Sequence, residues 1–63
     1  MNKNKILRVE FPDGKVLKAI KNEKGAISYE VYNSQGELIA YISQYEFIKN
    51  YYPSAISQGA KFN

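Results

Sequence analysis

Three loops of one design constrain this chain more than any other feature: Phe11-Pro12-Asp13-Gly14-Lys15, Asn22-Glu23-Lys24-Gly25-Ala26 and Asn33-Ser34-Gln35-Gly36-Glu37. In each, glycine falls where a type I turn has to be followed by a left-handed residue, the three-residue hairpin loop that ends in a G1 bulge. Pro12 at the second turn position, and Asn22 and Asn33 at the first, are residues this turn favours. Three such loops predict four antiparallel strands joined in sequential order, a meander.

Loop type fixes register, so the strands can be aligned from sequence. Counting outward puts Val9 beside Leu17, Leu17 beside Val31 and Val31 beside Ile39, with Leu7, Ala19, Tyr29 and Tyr41 as the next row and Phe11 and Ile27 at the margins. These are two uncharged rows on one side of the sheet. Sliding a strand by one residue would bring Arg8, Lys18 or Glu30 among them, at a cost of several kcal/mol for an unpaired buried charge.

After the fourth strand, Ser43 reads as a helix N-cap. Glu46, three residues on, completes a reciprocal capping box, and Ile42 and Phe47 bracket it as the two halves of a hydrophobic staple. Phe47, Ile48, Tyr51 and Tyr52 recur at the three- and four-residue spacing of an amphipathic helix. Pro53 disfavours helical geometry at Tyr52 and is expected to end it. So short a helix needs the uncharged sheet face as its seat. The expected fold is α+β: a four-stranded antiparallel β-meander with one short C-terminal helix packed on one face. The 63 residues form a single small domain, with residues 1–4 as a flexible arm and residues 53–63 as a C-terminal tail.

A domain of this size buries only about 60% of the surface its unfolded chain exposes, so a monomer is expected to be marginally stable. Cysteine is absent, which removes disulfides, thiolate nucleophiles and thiolate metal ligands and points to the cytoplasm. No apolar run approaches the ~20 residues that span a bilayer, and no apolar segment of a secretory signal follows the polar, basic Met1 to Lys5. Nine Lys and Arg against six Asp and Glu leave a net charge of +3, a weak bias towards anionic partners.

The opposite sheet face is unusual. The same register gives a central row of Arg8, Lys18, Glu30 and Ala40. It is flanked by Glu10, Val16, Tyr32 and Leu38 on one side and by Ile6, Ile20, Ser28 and Ile42 on the other. Six large apolar or aromatic residues around a charged strip are more than a water-facing sheet usually carries. Either the chain's own tail covers them, with Ile56 and Phe62 folded across, or a second copy or another protein does.

Catalytic chemistry finds little footing. Histidine is missing as well as cysteine, so only carboxylates, Lys, Ser and Tyr remain as acids, bases or nucleophiles. Glu10 and Glu30 share a face but stand near 10 Å apart, at ~4.8 Å per strand spacing, with Lys18 between them to pair with Glu30. Glu46 belongs to the cap, and Asp13 and Glu23 to turns. The glycines stand singly, without a phosphate-cradling loop ahead of a helix. No enzyme activity, cofactor, metal site or small-molecule substrate is expected.

The ending Ala55-Ile56-Ser57-Gln58-Gly59-Ala60-Lys61-Phe62-Asn63 resembles the A-x-S-x-G-x-x-[FY]-N ending of KTSC domains, small modules found at the C-terminus of some lysyl-tRNA synthetases and as free-standing bacterial and phage proteins. Gly36, Tyr41 and the helical stretch to Ala55 keep roughly that family's G-x-x-Y-x-Y spacing, with Ile39 at the first Tyr. The resemblance covers about the last 28 residues. Gln44-Tyr45 replaces the family's Val-Pro pair before the helix. The resemblance implies a strand-rich small domain associated with nucleic acid, and order at Ser57, Gly59, Phe62 and Asn63, but no active-site residue.

Two functional expectations follow. The first is a non-catalytic binding module that associates with another protein, or with itself as a homodimer, through Ile6, Val16, Ile20, Tyr32, Leu38 and Ile42. The alternative is a single-stranded nucleic-acid binder using Arg8, Lys18, Lys21 and Lys24 with Tyr32, where rings stack on bases and cations meet phosphates. No membrane partner is expected. The size suits a bacterial or phage accessory protein.

Overall fold

The computed structural model describes residues 7–63. The arm expected at residues 1–4, and Ile6 of the expected contact face, lie outside the described residues. Strands β1 (Arg8–Glu10), β2 (Val16–Lys21), β3 (Ile27–Tyr32) and β4 (Leu38–Ser43) form the meander. A helix, α1, covers residues 44–58, and a two-residue strand, β5 (Lys61–Phe62), follows it. The sheet is antiparallel with spatial order β4-β3-β2-β1-β5. The fold is thus α+β as expected, with one strand more and a longer helix.

The three hairpin loops close alike. Gly14, Gly25 and Gly36 have φ of 98°, 85° and 84°, and their N–H groups donate to the carbonyls of Phe11, Asn22 and Asn33 at 3.0 Å each. The carboxamide oxygen of Asn22 accepts from the N–H groups of Lys24 and Ala26, and that of Asn33 from Gln35 and Glu37. Asparagine therefore satisfies two loop donors that a strand ladder cannot reach.

Register follows the expected map across β1, β2 and β3: Val9 faces Leu17, Leu17 faces Val31, and Ala19 faces Tyr29. Between β3 and β4 it departs. Tyr32 faces Leu38 as counted, but Val31 faces Ala40 and Tyr29 faces Ile42, because a bulge opposite Val31/Tyr32 inserts one residue into β4. The expected pairs Val31 with Ile39 and Tyr29 with Tyr41 are corrected accordingly. Every later side chain of β4 changes sides, so Ile42 moves into the core at 6% exposure while Tyr41 is 65% exposed.

The core comprises Val9, Phe11, Leu17, Tyr29, Val31, Ile42, Phe47 and Ala55. Val9, Leu17, Tyr29 and Val31 come from the expected uncharged rows, Ile42 joins them from the other face, and Leu7, Ile39 and Tyr41 of those rows are exposed instead; α1 packs over the core side. The hydroxyl of Ser43 accepts from the N–H of Glu46 at 3.0 Å, and both staple residues, Ile42 and Phe47, are buried. The cap and the staple together fix how α1 leaves β4.

Pro53 does not end the helix. The chain is α-helical over Gln44–Glu46, passes through a π-helical turn over Phe47–Tyr51, and is α-helical again over Tyr52–Gln58. In the wide turn the N–H of Tyr52 donates to the carbonyl of Phe47, five residues back. Pro53 then occupies the first turn of the second α-helical piece, where its missing N–H is least costly. The helix stops at Gly59, left-handed with φ 74°. There Gly59 donates to Ile56 and Ala60 to Ala55, the two bonds of a Schellman closure.

Residues 53–63 are therefore helix, cap and strand, and no free tail. Val9 faces Phe62 across β1 and β5, which places Phe62 on the core side, with its ring edge-on to Tyr52 at 5.6 Å. Asn63 completes the edge, accepting from Leu7 at 2.7 Å and donating to Arg8 at 2.9 Å. Gly59, Phe62 and Asn63 thus have architectural duties. The ending does not fold across the second sheet face, and Ile56 is 55% exposed.

Candidate binding surface

The face of the sheet turned away from α1 carries three cross-strand rows. Arg8, Lys18, Glu30 and Tyr41 form the central one, with Tyr41 where Ala40 was expected. Glu10, Val16, Tyr32 and Leu38 lie on the side nearer the Gly14 and Gly36 loops. Ile20, Ser28 and Ser43 lie on the other.

The charges in the central row are largely engaged by neighbours along their own strands. Arg8 Nε donates to Glu10 Oε2 at 2.7 Å. That hydrogen bond, then the guanidinium's charge, and to a smaller extent the charge of Lys61, hold the Glu10 carboxyl below its ordinary range against the opposing effect of burial. Glu30 accepts the Tyr32 hydroxyl at 2.8 Å. This raises the Tyr32 phenol above its ordinary value, through that bond first and then through burial and the charge on Glu30. Lys18 does not form the expected ion pair with Glu30. Its ammonium instead sits over the Tyr32 ring, 5.0 Å from the centroid, a contact that binds a cation to the negative face of an aromatic.

Arg8, Val16, Lys18 and Tyr32 line a hollow of about 220 Å³, with the backbone of the Gly14 and Gly36 loops as its rim. The nucleic-acid candidates Arg8, Lys18 and Tyr32 are therefore brought together. Lys21 and Lys24 are not: Lys21 pairs with Ile27 in the row sequence that belongs to the core side, and Lys24 lies in the β2–β3 loop. Glu10 and Glu30 do not line the hollow, but each bonds a side chain that does, Arg8 and Tyr32 respectively.

Of the protein-contact candidates, Val16, Ile20, Tyr32 and Leu38 do share the second face. Val16, Ile20 and Tyr32 are half-buried by their neighbours, and Leu38 is exposed. Ile42 is withdrawn into the core by the β4 bulge, where it serves the staple instead.

The apolar surface that remains is displaced towards β4. Eight large hydrophobic side chains are exposed among the described residues, and five of them, Leu38, Ile39, Tyr41, Tyr45 and Ile48, fall between residues 38 and 48. β4 is also the terminal strand of the sheet, with no strand on its outer side among the described residues. The sequence reading missed Ile39 and Tyr41 because it assigned both to the interior. The signal that could have found them is the sequence of β4, Leu-Ile-Ala-Tyr-Ile-Ser, the one long strand without a charged residue.

Among the described residues, no three of His, Cys, Asp and Glu gather where they could hold a metal ion, and no helix is long and apolar enough to cross a membrane. Comparison with protein-family models, with curated proteins and with solved structures finds no match.

Proposed function

We propose that this chain is a small non-catalytic binding module that works by protein association, through its β4 edge and the adjoining start of α1. The observation that carries this reading is the run of exposed Leu38, Ile39 and Tyr41 on β4, an edge strand among the described residues, continued by exposed Tyr45 and Ile48 at the start of α1. Single exposed hydrophobics are ordinary on any surface; a cluster of them marks a contact site. An open strand edge adds unpaired backbone donors and acceptors, which an extended segment of another chain can satisfy by joining the sheet.

The test is amide mapping by NMR. Titration with uncharged extended peptides, or with increasing amounts of the protein itself, is expected to shift the amides of residues 38–48. The reading is abandoned if those amides stay fixed throughout while a single-stranded oligonucleotide shifts Arg8, Lys18 and Tyr32.

That second outcome belongs to the nucleic-acid reading, favoured by the convergence of Arg8, Lys18 and Tyr32 on one hollow. It ranks below protein association because Glu10 and Glu30 already hold Arg8 and Tyr32 and would repel a phosphate backbone. It predicts binding that weakens steeply with salt.

A further inference from the structure

We infer that the partner taken up at the β4 edge is a second copy of this chain, joined β4 to β4 in antiparallel fashion so that the two sheets become one. The inference rests on the protein-association reading and names its partner.

The first argument is the chemistry that the edge demands. Proteins usually guard an open edge with a lysine, a proline or a distorting bulge. β4 has neither lysine nor proline, and its single bulge lies at its beginning, opposite Val31/Tyr32, leaving Ala40 to Ser43 in regular pairing with β3. An incoming strand must be extended, uncharged and apolar on alternate residues. β4 itself is such a strand, and it is presented already folded, without the ordering cost a flexible peptide would bear.

The second argument is symmetry and charge. Antiparallel pairing of identical strands about a two-fold axis normal to the sheet sets one residue opposite its own copy. With Ala40, Tyr41 or Ile42 at the axis, no charged side chain of β4 meets another, because Leu38–Ser43 contains none. The formal charges nearest in sequence, Glu37 before β4 and Glu46 and Lys49 after it, lie outside the paired strand, and salt screens exposed charges over about 8 Å at physiological ionic strength. Association is therefore expected to be indifferent to salt or strengthened by it, opposite in sign to nucleic-acid binding.

The third argument is area. With about 200 Å² for a fully exposed large side chain, the exposures of 42, 57, 65, 71 and 56% at Leu38, Ile39, Tyr41, Tyr45 and Ile48 amount to roughly 580 Å². Leu38, Ile39 and Tyr41 lie on β4 and Tyr45 and Ile48 on the start of α1, so this figure is the upper bound of the apolar share in the ~800 Å² per partner that a stable interface uses, to which the outer peptide groups of β4 add.

The experiment is sedimentation equilibrium of the full chain across a hundredfold range of concentration, with isotope-filtered NOE spectroscopy on a mixture of labelled and unlabelled protein. A rise to twice the monomer mass, with contacts between β4 of one copy and β4 of the other, is expected. Tyr41→Lys and Ile39→Lys, both at exposed positions, should each weaken dimerisation at least tenfold while the amide spectrum of the rest of the sheet stays unchanged. The inference is overturned by a dimer indifferent to both substitutions and lacking β4 to β4 contacts. It is also overturned by a protein that stays monomeric throughout. If that monomer still takes up an uncharged peptide along residues 38–48, protein association survives without self-pairing; if it takes up only oligonucleotides, both readings fall.

Discussion

Phe47 lies flat on Tyr29, ring centroids 4.1 Å apart and planes within 18°, and this stack is where the helix is fastened to the sheet. Phe47 is 2% exposed and also meets Tyr52 edge-on at 6.2 Å. Truncation to alanine in a core of this kind costs about 3–5 kcal/mol, while a domain of this length has a total stability of roughly 3–9 kcal/mol at 0.05–0.15 per residue. Phe47→Ala is therefore expected to be largely unfolded at room temperature, judged by urea titration. Phe47→Leu keeps most of the burial, loses the stacking contribution of about 0.5–1.5 kcal/mol and should still fold. A Phe47→Leu protein as stable as the wild type would show that the stack contributes nothing beyond filled volume.

The wide turn in α1 follows from the same anchoring. Phe47 and Ala55 are the two buried residues of the helix, and at about 100° per residue a plain α-helix would set them roughly 80° apart around its axis. The extra residue accommodated by the π turn reduces this to roughly 20°, so both reach the sheet. Core burial of Phe47 outweighs the one hydrogen bond, about 1 kcal/mol net, that regular winding would restore. Pro53→Ala is accordingly expected to leave the wide turn in place, with the Tyr52 N–H still donating to Phe47 in a crystal structure or by scalar coupling across the bond. A switch of that donor to Ile48 would mean that Pro53, and not packing, imposes the turn.

Sequence made the first three strands legible and the fourth only half so, for a reason that lies in the charges. Arg8, Lys18 and Glu30 each forbid a one-residue slip of their strand, so register there has a single solution. β4 has an apolar residue on either face at nearly every step, and a slip exchanges Ile39 and Tyr41 for Ala40 and Ile42 without burying any charge. The clue that resolves it is the staple: Ile42 cannot both face the second surface and pack against Phe47 under the helix. β5 escaped notice because a two-residue strand has no periodicity to read, and the path through Pro53 because a proline reads as a stop unless the wide turn ahead of it, which sets it in a first turn, is already known.

The loops at one end of the sheet touch as well. A β-carbon on Gly14 would stand 2.8 Å from Ser34 Cβ, whereas one on Gly25 would meet nothing within 4 Å. Both glycines have positive φ, so alanine at either position bears the left-handed penalty of about 1–2 kcal/mol. Gly14→Ala must in addition separate the two loops. It should be the more destabilising by about 0.5–3 kcal/mol, the range of coupling between residues in contact, and Ser34→Gly in the same chain should recover most of that difference. Equal midpoints for Gly14→Ala and Gly25→Ala in denaturant titrations would show that the loop contact yields freely.

Stability against pH separates the two engaged groups of the second face, because they act at opposite ends of the scale. The Glu10 carboxyl is held below its ordinary value of 4.5, chiefly by the hydrogen bond from Arg8. The unfolded chain then binds that proton more tightly than the folded one. The contribution is complete above pH 4.5 and is lost as pH falls through the lower, folded value. Tyr32, raised above 10.0 chiefly by its bond to Glu30, and Tyr29, raised by burial, behave conversely. In both, the folded chain holds the proton more tightly, so their contributions are complete below pH 10.0 and fall away as pH climbs through the folded values. Glu10→Gln should flatten the acid limb of a stability profile and leave the alkaline limb as it was. Tyr32→Phe should soften the alkaline limb alone, leaving the part due to Tyr29. Denaturant midpoints measured across both limbs decide it, and profiles of both variants that parallel the wild type would remove Arg8–Glu10 and Tyr32–Glu30 as contributors to stability.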